Sequence, residues 1–427
     1  MKCWIVVTYE PLPGVDRSAR LLRCGILAQE LARAGDEVTW WTSTFHHVRK
    51  ENRFDRSRTV EVAPGLTIQM LHAPPYRRSV SWRRVRHNRR MAGAFLDATA
   101  RVTARPDVIF AAMPSLELAE AAVGFGRGRG IPVVVDARDK WPDLYLNAVP
   151  GALRGLARPA LATEFRRARR LFAGATGITA ISESYLTWAL AYAGRPRGSA
   201  DGVFPLGFPV PELSRVEVQE RAARLRERFA IPADALLCTF LGAFGSSYDL
   251  RTAIAAARLL RAAGEDRLRI VLAGTGELAS RLQAEAADLP NVAFTGWLDE
   301  GDAWALLRAS AVGLAPYTRQ ALQSLPNKAF EYMAAGLPTV SSLPGELQAL
   351  LAEHAVGRQY QSGDPGTLAG ALCWLADHPE ERLAMGRRAE ALFRERFSTP
   401  VIYPALARHL REVAQGRLST PAGEDGT

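Results

Sequence analysis

The chain has 427 residues, 48% apolar and 23% charged, which suits two or three domains with filled cores and excludes a disordered chain. Cys3, Cys24, Cys238 and Cys373 lie far apart with no CxxC pair; this excludes a disulfide scaffold and a cysteine zinc site, and fits a reducing compartment. Residues 1–200 hold 31 Lys and Arg against 17 Asp and Glu, and residues 201–427 hold 23 against 27, so a +14 half that should attract anions precedes a −4 half.

Cys3–Thr8 is the first predicted strand, in place of a signal-peptide layout. No apolar run reaches the ~18 residues of a spanning helix. A helical run follows from about Ser18 to Ala34. In the loop Glu10–Arg23, which follows the first strand and begins the helix, Arg17, Arg20 and Arg23 recur at threes. They would line one side of the helix entry, as a solvated face or as contacts for a diphosphate or an anionic acceptor. The next strand, Glu37–Trp41, leads to His46 and His47. Seven His without HxxxH spacing give no metal site, and His47 becomes a candidate acceptor contact. Arg77, Arg78, Arg83, Arg84, Arg86, Arg89 and Arg90 then crowd one stretch with Tyr76 and Trp82. A second basic stretch, 151–172, spaces Leu153, Leu156, Leu161, Phe165, Leu171 and Phe172 like a helix face, with six Arg between them. Such helices lie on anionic membranes or pack on a sheet with Arg outside. No nucleic-acid-binding module accompanies them, so no nucleic acid partner is expected.

The strands VIFAAM (108–113) and IPVVVDA (131–137) come next, and the second runs into Asp136-Ala-Arg138-Asp139. Arg138 offers a planar fork for phosphate or carboxylate, and Asp139 can orient an acceptor hydroxyl. A loop-pinning Arg–Asp pair is the plainer alternative. TGITAIS (176–182) and a helix follow, then the Pro- and Gly-rich stretch 194–211, read as the linker. The alternation then restarts with LLCTFLG (236–242), LRIVLAG (268–274), VAFTGW (292–297), AVGLAPY (311–317) and PTVSS (338–342), separated by helices. Strands alternating with helices predict two doubly wound α/β domains facing across a cleft, with ligands beyond the carboxyl ends of the strands. The expected boundaries are 1–200 and 201–399.

Two glycine loops follow second-half strands directly: Gly242-Ala-Phe-Gly245 and Gly274-Thr-Gly276. Either is an ordinary turn or a phosphate cradle. The most specific segment is Ser324-Leu-Pro-Asn-Lys-Ala-Phe-Glu-Tyr-Met-Ala-Ala-Gly-Leu-Pro. It places Asn327 and Lys328 at a helix start and Glu331 one turn on, on the same face. Lys is rare here, four against 50 Arg, and Lys328 is the only one after residue 140. A cation at a helix N-terminus opposes the dipole unless an anion sits there.

With these residues the stretch Phe240–Phe397 resembles the donor domain of retaining family-four glycosyltransferases of GT-B fold. EPLP (10–13), Arg20-Leu-Leu-Arg23, WWTSTFHH (40–47) and DARDKWPD (136–143) resemble members that build capsule, O-antigen and other exopolysaccharides. The resemblance implies transfer of a sugar from a nucleotide diphosphate, UDP-linked, to a lipid-diphosphate-linked or other polar acceptor, with no cofactor or metal. A sugar-nucleotide epimerase of the same fold and a non-catalytic nucleotide-sugar-binding protein are the alternatives. The implied donor-site residues are Gly242, Gly245, Gly274, Gly276, Trp297, Gln323, Asn327, Lys328 and Glu331. Asp139 and Arg138 would be catalytic, and Arg20, His47 and Asp136 would meet the acceptor. The family often carries two Glu eight positions apart; this chain has Gln323 and Glu331. Its first donor-domain loop has only Arg251 nearby, and a family His-Asp pair appears as Arg138-Asp139. The resemblance also implies a last helix, 400–416, returning to the first domain; the residues themselves predict a flexible tail at 417–427 and a cytoplasmic protein, peripheral at the inner face of the membrane.

Overall fold

Strands covered on both faces need apolar side chains at nearly every position, and VIFAA and VVVDA are such runs. In the computed structural model, which describes residues 1–16, 20–78, 81–147, 149, 155 and 159–419, both are fully buried strands. The chain forms two compact units, residues 1–206 with 402–427, and residues 207–401. The division falls a few residues beyond the expected 200/201 boundary, because the short strand Gly202–Val203 still pairs within the first sheet.

The first unit contains β1 (Lys2–Val6), β2 (Glu37–Ser43), β3 (Phe45–His46), β4 (Glu51–Asn52), β5 (Arg58–Ala63), β6 (Leu66–Leu71), β7 (Val108–Ala112), β8 (Val133–Ala137), β9 (Gly177–Ala180) and β10 (Gly202–Val203). Eight of them form one sheet in the order β10-β9-β8-β7-β1-β2-β6-β5, while β3 and β4 pair separately. All neighbours in the large sheet are parallel except β5 and β6. That hairpin is absent from the elements expected from the sequence. RTVEVA alternates polar and apolar residues and lies largely exposed at the sheet edge, so it offers no continuous apolar run. Strand order reverses between β1 and β7, the topological switch where ligands of such sheets bind.

The second unit contains β11 (Leu236–Leu241), β12 (Leu268–Ala273), β13 (Val292–Gly296), β14 (Val312–Ala315), β15 (Thr339–Ser341) and β16 (Gly357–Gln359). They form one parallel sheet in the order β13-β12-β11-β14-β15-β16. Its switch lies between β11 and β14. Helices such as Leu250–Ala262 and Pro365–Asp377 bury Ile254, Leu260, Leu368 and Leu372 against Phe240, Ile270 and Leu314.

The helix Thr399–Ala414 gives Tyr403, Leu406, Leu410 and Val413 to the first unit's core, beside Cys3, Ile5 and Trp40. Tyr403 donates its hydroxyl to the Leu206 carbonyl at 2.8 Å, and Arg411 pairs with Asp36 at 2.6 Å. Of the tail expected from residue 417, only 417–419 fall within the described residues. Among the described residues no helix is long and apolar enough to cross a membrane.

Leu410 is completely buried. Leu410→Ala should therefore destabilise the first unit by about 2–5 kcal/mol, read as an earlier denaturant midpoint. A shift below ~0.5 kcal/mol, the size of a surface substitution, would mean that this helix is not part of the core.

Candidate functional site

In the second unit, the switch gathers three segments around one amine. Gly242 follows β11 at φ +148°, and a β-carbon there would collide with Lys328 Nζ. Gly274 follows β12 at φ +141°, where a β-carbon would collide with the Gly242 carbonyl. Gly274 is glycine for both conformation and space, and Gly242 for its conformation, with the Lys328 ammonium filling the space beside it. Gly276 packs its α-carbon onto the Phe244 backbone. Gly245 has open space around it and no left-handed φ, so packing does not require glycine there. The Gly242, Phe244 and Gly274 amides donate to the carbonyls of Ala273, Thr275 and Gly296 at 2.8–2.9 Å. These loops therefore do not cradle phosphate through those amides, as the sequence suggested; they make room for Lys328.

Lys328 stands in the first turn of the helix Asn327–Ala334 and is only 6% exposed. Its ammonium donates to the Leu241 carbonyl and lies 4.4 Å from the centroid of Phe240 and 4.5 Å from that of Tyr248. Burial pushes its pKa down to about 8, opposed by the charge of Glu331. The carbonyl and two ring faces replace part of the lost hydration. Glu331, one turn on, is also buried. Tyr332 bridges the switch, donating to Leu314 O at 2.8 Å and accepting from Leu241 N at 3.3 Å. Nothing but the aromatic identity of Tyr332 marks it in the sequence.

Asn327 is exposed on the same helical turn, and Gln323 is half-buried with its Oε1 occluded and without a hydrogen-bond partner. The helix start offers unpaired backbone N–H groups and the positive end of its dipole. The structure thus unites Gly242, Gly274, Gly276, Lys328 and Glu331. Trp297 stands apart: it follows β13, two strands from β11, and is 74% exposed.

In the first unit, the residues after β1, β2, β6, β7 and β8 converge. Two expectations are corrected here. Asp136 does not face an acceptor. It is fully buried, accepting from Arg23 Nε at 2.8 Å, from its Nη2 at 2.9 Å and from Thr179 at 2.8 Å. Arg23 also donates to the carbonyls of Phe204 and Pro205. Arg138 is not an open fork either, and its partner is not Asp139. It pairs with Glu10 and donates Nε to Met113 O at 2.8 Å. Glu10 in turn accepts from Cys24 N at 2.9 Å, so this network locks the first loop to the helix Arg23–Arg33. Because that helix begins at Arg23, Arg20 and Arg23 do not share a helical face. Arg20 is half-buried in the loop before it, and Arg17 lies outside the described residues.

Asp139 is half-buried, and burial raises its pKa to about 6 against the pull of Arg138 and Arg84. His47 bonds Tyr76 through Nδ1 at 2.5 Å, and burial aided by Lys50 and Arg84 lowers its pKa to about 4. Around them stand Tyr9, Lys50, Tyr76 and Arg84, which the sequence did not assign to a site. The signals for them were present but coarse: the position after a strand, a rare Lys, and one Arg inside a basic run. In the second basic stretch Arg167 pairs with Glu164 at 2.7 Å and Glu120 at 2.8 Å, and Arg170 with Glu120 at 2.6 Å, while Arg166 and Arg169 are exposed. Residues 151–154 and 156–158 of that stretch lie outside the described residues.

The family described as Glycosyltransferase Family 4 matches residues 24–199, and that described as Glycosyl transferases group 1 matches residues 235–378. The chain belongs to this group 1, family-four set of glycosyltransferases. Its two parallel α/β units have the GT-B fold. A GDP-mannose-dependent alpha-(1-6)-phosphatidylinositol dimannoside mannosyltransferase of Mycobacterium tuberculosis is 33% identical over 189 residues, 44% of this chain and 47% of that one. The match thus spans about half the length of this curated relative. Sucrose-phosphate synthase from Thermosynechococcus elongatus superposes with a TM-score of 0.72 at 17% identity, covering 97% of this chain and 99% of that one. Anabaena HepE in complex with UDP gives 0.68 at 15% identity, over 96% and 100%.

The buried Arg23–Asp136 pair predicts a structural phenotype. Asp136→Ala leaves a buried guanidinium uncompensated and should cost about 3–5 kcal/mol in the first unit's unfolding. Wild-type unfolding in this variant would return Asp136 to the functional list.

Proposed function

We propose that this protein transfers a glycosyl unit from a nucleotide-diphosphate sugar, bound by the second unit, to a hydroxyl of a lipid-linked or other polar glycan acceptor, bound by the first. The observation that carries this reading is the buried Lys328 cation at a helix start, at the strand-order switch, with Glu331 one turn behind. The diphosphate would take the Lys328 ammonium and the free N–H groups of the helix start. Glu331 would accept from ribose hydroxyls, and Gln323 would meet the sugar.

The reaction breaks the bond between the anomeric carbon and the phosphate oxygen. Negative charge grows on the departing diphosphate, where Lys328 and the helix dipole stabilise it. In a transfer with retention the acceptor oxygen bonds the same face of the anomeric carbon, and its proton passes to the departing phosphate oxygen. Asp139 would position that hydroxyl without acting as a strong base. The M. tuberculosis relative is named for GDP-mannose and HepE was solved with UDP. A thermal-shift screen of UDP-, GDP- and dTDP-sugars therefore reads the base, since the true donor raises Tm most at equal concentration. Turnover of that sugar nucleotide with lipid extract tests the transfer.

Trp82, 67% exposed, and the exposed Arg77, Arg78, Arg83, Arg86, Arg89 and Arg90 support a peripheral, cytoplasmic-face location. Arg86, Arg89 and Arg90 replaced by Gln should reduce flotation with anionic vesicles and leave neutral vesicles unaffected. Equal flotation of variant and wild type would end the membrane assignment.

Lys328→Ala should weaken a nucleoside diphosphate far more than the bare nucleoside in calorimetry. Glu331→Gln should weaken both by about tenfold to a hundredfold, the worth of a charge-assisted bond at roughly 1.5–3 kcal/mol. The pH dependence has a defined sign. The Lys328 pKa is lowered from 10.5 to about 8 in the fold, so diphosphate affinity should fall as pH rises through about 8. Over that window the unfolded chain binds more protons, so this group makes the ligand-free fold more stable as pH rises. Lys328→Ala should flatten the affinity profile. Unchanged diphosphate affinity in this variant would overturn the site.

A further inference from the structure

The loop after β11, from Gly242 to Asp249, carries no Lys or Arg. The cation at this end of the sheet comes from a helix, as Lys328, and the loop meets it with a ring. Lys328 Nζ lies 4.5 Å from the Tyr248 centroid and 4.4 Å from that of Phe240. The two rings are 5.0 Å apart at 70° to each other, so they wall the amine on two sides. Phe240 is fully buried in β11, whereas Tyr248 is half-buried in the loop. An ammonium carries three donors. Among the described residues the hydrogen bond of Lys328 is the one to the Leu241 carbonyl, which leaves two donors for a ligand.

Tyr248 is anchored through its backbone. Its amide donates to the Gly245 carbonyl at 3.1 Å, and the next amide, that of Asp249, donates to Pro316 O at 3.0 Å. Thr318 N donates to Ser247 O at 3.1 Å, so residues 247–249 are tied to the segment after β14. There the Tyr317 ring packs 5.0 Å from that of Tyr248. Asp249 caps the helix Leu250–Ala262, accepting from Thr252 N at 3.2 Å and from its hydroxyl at 2.6 Å. The ring is therefore the fixed partner, and the flexible four-carbon stem of the lysine is the mobile one. Burial raises the pKa of Tyr248, Tyr317 and Tyr332, so the phenols of this region stay neutral. The charge that acts on Lys328 is that of Glu331, on its own helix. A neutral ring face attracts an ammonium without cancelling its charge.

We propose that Tyr248 is a positioning residue for the donor: its ring holds the Lys328 ammonium at the carboxyl end of β11, with two N–H groups kept for the diphosphate. This rests on the reading of Lys328 as the cation of the diphosphate site. A lysine without such a wall loses its rotamer freedom only when the ligand binds, and that cost comes out of affinity. With the ring in place the ordering is done in the fold. Tyr248 acts through Lys328 and need not touch the substrate.

The test is a double-variant cycle, read by calorimetry on the full chain with UDP, GDP and dTDP and with the matching nucleosides. Tyr248→Leu fills the space without a π face. It should weaken the diphosphate that wild type binds best by about twofold to thirtyfold, and leave the nucleoside alone. Tyr248→Phe keeps the face and should match wild type, as should Arg251→Gln, an exposed residue paired with Glu285 at 2.9 Å. In the Lys328→Ala background, Tyr248→Leu should have no further effect. The pH at which diphosphate affinity falls should move down in Tyr248→Leu by about 0.4–1.5 pH units, because the charged amine loses a stabilising neighbour while Glu331 is unchanged. Tyr248→Met is read in the same way if Tyr248→Leu fails to fold. A lower Tm with an unmoved pH profile, an effect of equal size with and without Lys328, or a profile that moves up would overturn the inference, since the ring would then only pack or only exclude water. Absence of diphosphate binding in wild type would defeat the donor-site reading itself.

Discussion

A cation can be buried only if the protein replaces what water gave it, and much of the second unit's switch region is arranged around that requirement at Lys328. The Leu241 carbonyl and the faces of Phe240 and Tyr248 surround the ammonium. Gly242 is glycine for its conformation, with the ammonium in the space beside it, and Gly274 has no side chain because Gly242 must pass close by. Tyr332 ties the adjacent strand ends together with a donated and an accepted bond. The compensation is partial, as the depressed pKa of about 8 records. In the proposed donor site, a phosphate at the helix start would complete it.

The first unit buries charge in two distinct ways. Arg23 and Asp136 satisfy each other bidentately, and their remaining capacity goes to Thr179 and two carbonyls. Arg138 and Glu10 are closed in the same manner through Met113 and Cys24. These pairs pin the first loop, β8 and the helix Arg23–Arg33 to one another. Closed pairs of this kind serve the fold. Arg84 and Lys50 lie against ring faces, Arg84 over Tyr9 and Trp141 and Lys50 over Tyr76.

That distinction explains what was legible in the chain. The parallel sheets were readable because buried strands must be apolar runs, and LRIVLA or VVVDA admit few other readings. The hairpin β5–β6 was not, since an exposed edge strand carries only a weak alternation. The shared helical turn of Lys328 and Glu331 was readable because i, i+3 spacing is local. Asp136 and Arg138 misled because their partners, Arg23 and Glu10, are 113 and 128 positions away in the chain, and no spacing announces a contact at that separation. The Tyr9, Lys50, Tyr76 and Arg84 cluster is made from four separate loops and helix ends, so each member looks unremarkable in its own segment. Trp297 shows the converse: an aromatic residue directly after a strand, where a ligand contact is expected, that the fold leaves exposed at the edge of the sheet.

The two halves of the first unit's site also bear on each other. Asp139 is held near a pKa of about 6 by burial pulling up and by Arg138 and Arg84 pulling down. Arg138 spends most of its charge on Glu10, so Arg84 is the adjustable influence. An anion on Arg84 would cancel part of that field and raise Asp139 further. The acceptor would then arrive at an aspartic acid leaning toward its protonated form, a hydrogen-bonding group rather than a base. Such a group suits a transfer in which the departing phosphate oxygen takes the acceptor proton. It suits poorly a mechanism that needs a carboxylate to remove that proton first. Under the proposed transfer with retention, the field around Asp139 and the course of the reaction would support each other through one arginine.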